Sequence, residues 1–122
     1  MIQNDTFIKE INDLINMCLG VFFSGKTYKD NENSKNNKIY RELQNFISDG
    51  KINDGENLYY DNIDLNDTEY LQIGLSFYRA LNDLDDKFLH ENNFSRKEIK
   101  IGLEDLLDAY NINFIGEKWA DF

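Results

Sequence analysis

Residues 5–27 read DTFIKEINDLINMCLGVFFSGKT, and two incompatible folds claim this stretch. Phe7, Ile8, Ile11, Leu14, Ile15, Cys18, Leu19 and Phe22 recur at three- and four-residue intervals, the spacing of one face of an α-helix. Gly20 to Thr27 also matches G-x-x-x-x-G-K-[ST] letter for letter. In that motif backbone amides cradle phosphates, the lysine (here Lys26) reaches the outer phosphates and the Thr27 hydroxyl holds magnesium. The chemistry requires a buried strand before the loop, a helix after it, and a parallel sheet around both. Here helical periodicity precedes the loop, and Tyr28 to Asn37 has no amphipathic pattern. Val21, Phe22 and Phe23 are also poor residues for a solvated anion cradle. The stretch therefore reads as a helix, capped by Asn4 or Asp5, that ends at Ser24 and Gly25. Nucleotide binding through Lys26 and Thr27 stands as an alternative function.

The helix carries more apolar residues than one core-facing stripe needs, because Met17, Val21 and Phe23 fall beside the main set. Central burial accounts for that width, and so does a face shared with a second subunit or another protein. Met17, Val21, Phe22 and Phe23 are accordingly the candidate interaction residues, with a homodimer as one form of the partnership.

Outward from this helix, Ser24 to Asn37 (SGKTYKDNENSKNN) is polar and without period, and reads as a long mobile loop over residues 24–37. Ile39, Tyr40, Leu43, Phe46 and Ile47 mark a second helix that stops near Asp49 and Gly50, the glycine suiting a left-handed stop. Asn53 to Asn62 forms a short third helix, so the pair makes a helical hairpin. Asp67 or Asn66 caps a fourth helix through Tyr70, Leu71, Ile73, Leu75, Phe77, Tyr78, Leu81 and Leu84, apolar on a broad face and hence central. Asp85 to Glu91 adds a short turn. Ser95 and Glu98 make a capping box for a last helix through Ile99, Leu103, Leu106, Leu107 and Tyr110, ended by Asn111. The tail, residues 112–122, holds Phe114, Ile115, Trp119 and Phe122 and is expected to dock. No strand-like alternation survives this reading. The expected fold is all-α, one domain over residues 1–122 with five to six helices in helical hairpins and a long apolar N-terminal helix.

Length and composition agree with that expectation. A chain of 122 residues with 41% hydrophobic and 14% aromatic residues builds one core without staples, and the single Cys18 excludes a disulfide framework. Formal charge is -10. Residues 1–48 hold six acids and six bases, so the whole excess falls in residues 49–122, with 17 acids against 7 bases. An acidic surface of this kind repels phosphate backbones, which excludes nucleic acid as a partner. It serves either as a solvated face or as a docking face for a basic partner. No apolar run reaches the roughly 18 residues of a membrane helix, and no basic leader precedes one. A cytoplasmic protein with no membrane association is expected.

Chemistry-bearing motifs are scarce. Asp49 to Glu56 (DGKINDGE) looks like the latter half of a calcium-binding helix-loop-helix. Set in register by Gly50 and Glu56, its first and third ligand positions become Asn45 and Ile47, and isoleucine offers no oxygen. Calcium binding at residues 49–56 is the second alternative. His90 has no histidine or cysteine partner, Cys18 lies on the apolar stripe, and Asp85 with Asp86 or Glu104 with Asp105 point apart on a helix. No catalytic, cofactor or metal site is expected, and the function indicated is a non-enzymatic interaction or assembly module.

Four segments carry a resemblance: the apolar N-terminal helix; Gly50-Lys51-Ile52-Asn53 with Glu56-Asn57-Leu58; Tyr70-Leu71 followed by Phe77-Tyr78 and Leu81-Asn82; and Asn93 to Ile99 leading to Gly102-Leu103. Through them the chain resembles a family of small bacterial proteins of unknown function with tetratricopeptide-like helical hairpins. The resemblance implies a helical scaffold and brings no catalytic or binding residues with it.

Overall fold

Local signals at the helix ends set the architecture. Ser34, Asp67, Asp85 and Ser95 each sit in extended backbone and accept a hydrogen bond from an amide two or three residues on, capping four helices. Gly50, Asn93 and Asn111 have positive φ and stop three of them. In each case the following amide bonds back five residues, as Lys51 N–H does to the Phe46 carbonyl at 2.8 Å. A computed structural model describes residues 2–31 and 34–113, in the order α1 (Ile2–Phe23), α2 (Lys35–Ser48), α3 (Ile52–Asp61), α4 (Thr68–Asn82), α5 (Asp86–Glu91) and α6 (Arg96–Ala109). The domain is all-helical, and no strand occurs among the described residues.

Packing follows the apolar faces. α4 is the central helix, against α1, α2 and α6, and α1 also lies on α6 while α2 and α3 form the hairpin. Tyr70, Leu71, Ile73, Leu75, Phe77, Tyr78 and Leu81 of α4 are buried together with Ile11, Leu14, Ile15, Cys18 and Leu19 of α1 and Ile99, Leu103, Leu106 and Leu107 of α6.

Several expectations shift in detail. α1 begins at Ile2, so neither Asn4 nor Asp5 is its cap. Phe22 is exposed, whereas Phe23 packs partly on the core, the reverse of the expected order. The segment expected as a loop over 24–37 gives Lys35, Asn36 and Asn37 to α2, and Tyr28 within it is buried. Tyr28 donates to Asn37 Oδ1 at 2.9 Å, and Asn37 Nδ2 donates to Asp30 Oδ1 and to the Asn31 carbonyl, each at 2.9 Å. With Asn31 N–H also donating to Oδ1, this buried amide has every polar atom engaged. Of the tail, Ile112 packs against the core, while Phe114, Ile115, Trp119 and Phe122 lie outside the described residues.

One polar node joins four helices. Arg96, only 4% exposed, donates through Nη1 to the Asn82 carbonyl at 2.7 Å and to Asn82 Oδ1 at 3.2 Å. Its Nη2 reaches the Leu84 carbonyl at 2.7 Å and Asp86 Oδ1 at 2.8 Å, and Nε also donates to Asp86. Asn82 in turn donates to the Ile8 carbonyl and to Asn12 Oδ1 of α1. Truncating the guanidinium strands buried carbonyls at the end of α4. Arg96→Ala is therefore expected to cost about 3 kcal/mol in chemical denaturation. Arg96→Lys recovers little of it, because a point charge cannot fill the fork; a loss under about 1 kcal/mol in Arg96→Ala would show the node to be dispensable.

Candidate functional site

The exposed apolar face of α1 is built by its last two turns. Met17, Val21 and Phe22 are 36%, 60% and 44% exposed, and the Phe22 and Phe23 rings meet edge-on at 6.5 Å. Met17 and Val21 are one helical turn apart, whereas Phe22 lies about 100° round the helix from Val21, at the exposed end of the stripe that carries Ile11 and Ile15. Asn16 to Phe23 carries no charged residue, and Asp13, one turn before Met17, is paired with Lys9 at 2.8 Å. Of the four candidate interaction residues, three therefore lie on the surface and Phe23 bridges surface and core.

The phosphate-loop letters occupy a helix end. Gly20 to Phe23 are helical, and Ser24 and Gly25 turn the chain with φ of 54° and 79°. The Gly25 N–H donates to the Leu19 carbonyl at 2.7 Å and that of Lys26 to Phe23 at 2.9 Å, so these amides close the helix rather than form a nest. Among the described residues no helix follows until Lys35. The calcium-like stretch is equally a packing device: Asn45 to Ser48 belong to α2, Ile52 to Glu56 belong to α3, and only Asp49 to Lys51 turn between them. Gly50 is held there by its positive φ and by Asn92, whose amide occupies the space a Cβ would need. Among the described residues no group of three or more His, Cys, Asp and Glu is placed to hold a metal ion.

The remaining candidates have structural employment or none. Burial pushes the Cys18 thiol up to about 12, far from a reactive thiolate. His90 is exposed in the last turn of α5. Asp85 caps α5 and Asp86 pairs with Arg96, so these neighbours point to different tasks.

A cluster that sequence reading overlooked lies between α3, α4 and α6. Tyr78 Oη donates to Glu56 Oε2 at 2.6 Å, and Tyr60 Oη donates to the Gly102 carbonyl at 3.1 Å, 3.4 Å from Tyr78 Oη. Gly102 leaves the room: a Cβ there would stand 2.6 Å from Tyr78 Oη and 2.7 Å from Glu56 Oε2. Beside it Tyr59 and Tyr70 stack at 4.5 Å, each hydroxyl donating to the other's backbone carbonyl at 2.7 Å. Burial raises the Tyr78 hydroxyl far above its ordinary value and pushes Tyr60 up to about 12, so both stay protonated donors. Desolvation likewise raises the Glu56 carboxyl, against the Tyr78 hydrogen bond, with Glu98 and Asp105 adding repulsion.

That shift has a definite sign. A carboxyl whose folded pKa is raised above the ordinary 4.5 holds its proton more tightly in the folded state. Its contribution to stability is fully present below 4.5 and is lost as pH rises through the raised folded value. Glu56→Gln keeps an acceptor for Tyr78 without the charge. Unfolding free energies measured from pH 4 upward should therefore show wild type losing stability relative to Glu56→Gln above the ordinary carboxylate range; parallel curves would refute the assignment.

Comparison with known proteins places the chain without assigning it an activity. No curated protein and no solved structure matches it. The match that does extend along the fold, from α1 through the stop at Asn111, is to a family described as of unknown function, and over residues 1–111 the chain belongs to that family, DUF6483.

Proposed function

We propose that the protein is a non-enzymatic interaction or assembly module that self-associates through the exposed apolar residues in the last two turns of α1. The observation that carries this reading is the run of exposed apolar side chains, Met17, Val21 and Phe22, on an uncharged stretch of a chain with net charge -10. Large apolar side chains clustered on one surface mark contact sites in proteins that otherwise solvate themselves with charge. Two copies meeting by this face form an isologous pair, in which each Phe22 covers the partner's apolar stripe. The α2–α3 hairpin and the α4–α6 pair support a tetratricopeptide-like scaffold of bacterial type, with α1 as its added contact helix. The same reading puts the module in the cytoplasm, where a lone thiol such as Cys18 stays reduced.

The test is absolute molar mass by light scattering across a dilution series. Wild type is expected to approach twice 14.4 kDa at high concentration. Phe22→Asp should return it to the monomer mass and weaken association by at least tenfold, with the melting temperature of the monomer unchanged because the side chain is outside the core. A wild type that stays at 14.4 kDa throughout would sink self-association.

A further inference from the structure

The chain has three arginines, and two of them meet a carboxylate: Arg41 reaches Asp30 at 2.9 Å and Arg96 reaches Asp86 at 2.8 Å. Arg79, half-buried on α4, meets none within 4.0 Å among the described residues, in a chain with 23 acids. Its Nη2 donates to Asn16 Oδ1, but its Nε is buried without an acceptor. Ser76 Oγ, three residues earlier on the same helix, is buried without a partner too. Such groups are costly to leave unfilled, and two on adjacent turns facing one neighbourhood call for an acceptor from outside.

Arg79 and Ser76 line a shallow groove of about 220 Å³ between α4, α2 and the segment that follows α1. Tyr28 and Tyr40 form its aromatic wall, their rings 4.8 Å apart and tilted by 51°, and Ala80 and Gln44 complete the lining. We propose that this groove binds a small aromatic carboxylate. A carboxylate is the acceptor that matches the guanidinium fork, taking Nε with one oxygen while the Ser76 hydroxyl donates to it. Both donors are closed off from solvent, so the ligand reaches them as the Arg79 side chain swings off Asn16. The ring of the ligand packs on Tyr40 and Ala80. The space equals about seven waters at ~30 Å³ each, which suits a single-ring molecule and excludes a cofactor-sized one. Asp83 on the rim disfavours a second negative charge, which narrows the class to monocarboxylates.

The probe is benzoate, with benzamide and acetate as controls, titrated into the labelled full chain and followed by backbone amide shifts. Saturable shifts centred on Tyr28, Tyr40, Ser76 and Ala80 are expected with benzoate, and at least tenfold weaker binding with either control. Arg79→Gln should weaken benzoate by about tenfold or more, the scale of one hydrogen bond to a charged group. Ser76→Ala removes a hydroxyl that bonds no other group of the protein among the described residues, so it keeps the fold and should weaken benzoate severalfold. Absence of saturable shifts, equal binding of benzamide or acetate, or unchanged affinity in both variants would overturn the proposal.

Discussion

The rest of the structure depends on the guanidinium of Arg96. A buried charge is expensive unless every donor is filled, and this one has five N–H groups answered by five hydrogen bonds. Three of those bonds end on backbone carbonyls or on Asn82, at the place where α4 stops and has carbonyls without helical partners. The cation thus satisfies the end of α4 while holding the start of α6 against it, and Asp86 at the start of α5 completes the charge balance. Asn82 extends the same network to α1. Once this corner is set, the direction in which α6 returns along α4 is set, and with it the floor on which α1 lies.

Close approach on the other side of α4 comes from missing side chains. Gly74 admits Tyr59 and Leu106, and Gly102 admits Tyr78 and Glu56. The tyrosines fill that space with large rings whose hydroxyls find carbonyls or a carboxylate, so burial of polar tips costs little. The two arrangements are complementary: a charged node closes the ends of the helices, and an aromatic layer spaces their middles.

Much of this was legible in the sequence because it is local. Ser95, Asp67, Gly50 and Asn111 act within one helical turn, and their neighbours announce them. The broad apolar face of Tyr70 to Leu84 likewise announced a central helix. What stayed hidden depends on partners far along the chain. Arg96 reads only as the residue after a cap, because Asn82 and Leu84 are brought to it by the α4–α5 corner. Glu56 reads as a calcium ligand by its offset from Gly50, and only Tyr78, 22 residues on, reveals its role. Tyr28 lies in a stretch without period, and its burial follows from Asn37 gathering the turn around itself. Phe22 shares the bearing of Ile11 and Ile15 on the helix, yet it is exposed, because period fixes direction and not how far a neighbouring helix extends to cover it.

The charge distribution bears on what the apolar face of α1 can meet. Copies of a chain with net charge -10 repel one another at most approaches, and at physiological salt this repulsion is screened beyond about 8 Å. Contact therefore favours surfaces that bring few acids within that distance. The last two turns of α1 come near this condition, since Asn16 to Phe23 holds no charged residue and Asp13, one turn before Met17, is paired with Lys9. Under the proposed self-association, an acidic surface elsewhere and an apolar patch here would work together: repulsion would suppress unspecific association, and the patch would leave one orientation in which hydrophobic burial outweighs it. Added salt should strengthen such a contact, whereas it would weaken docking of a basic partner on the acidic face, so the two kinds of association have opposite ionic-strength dependence.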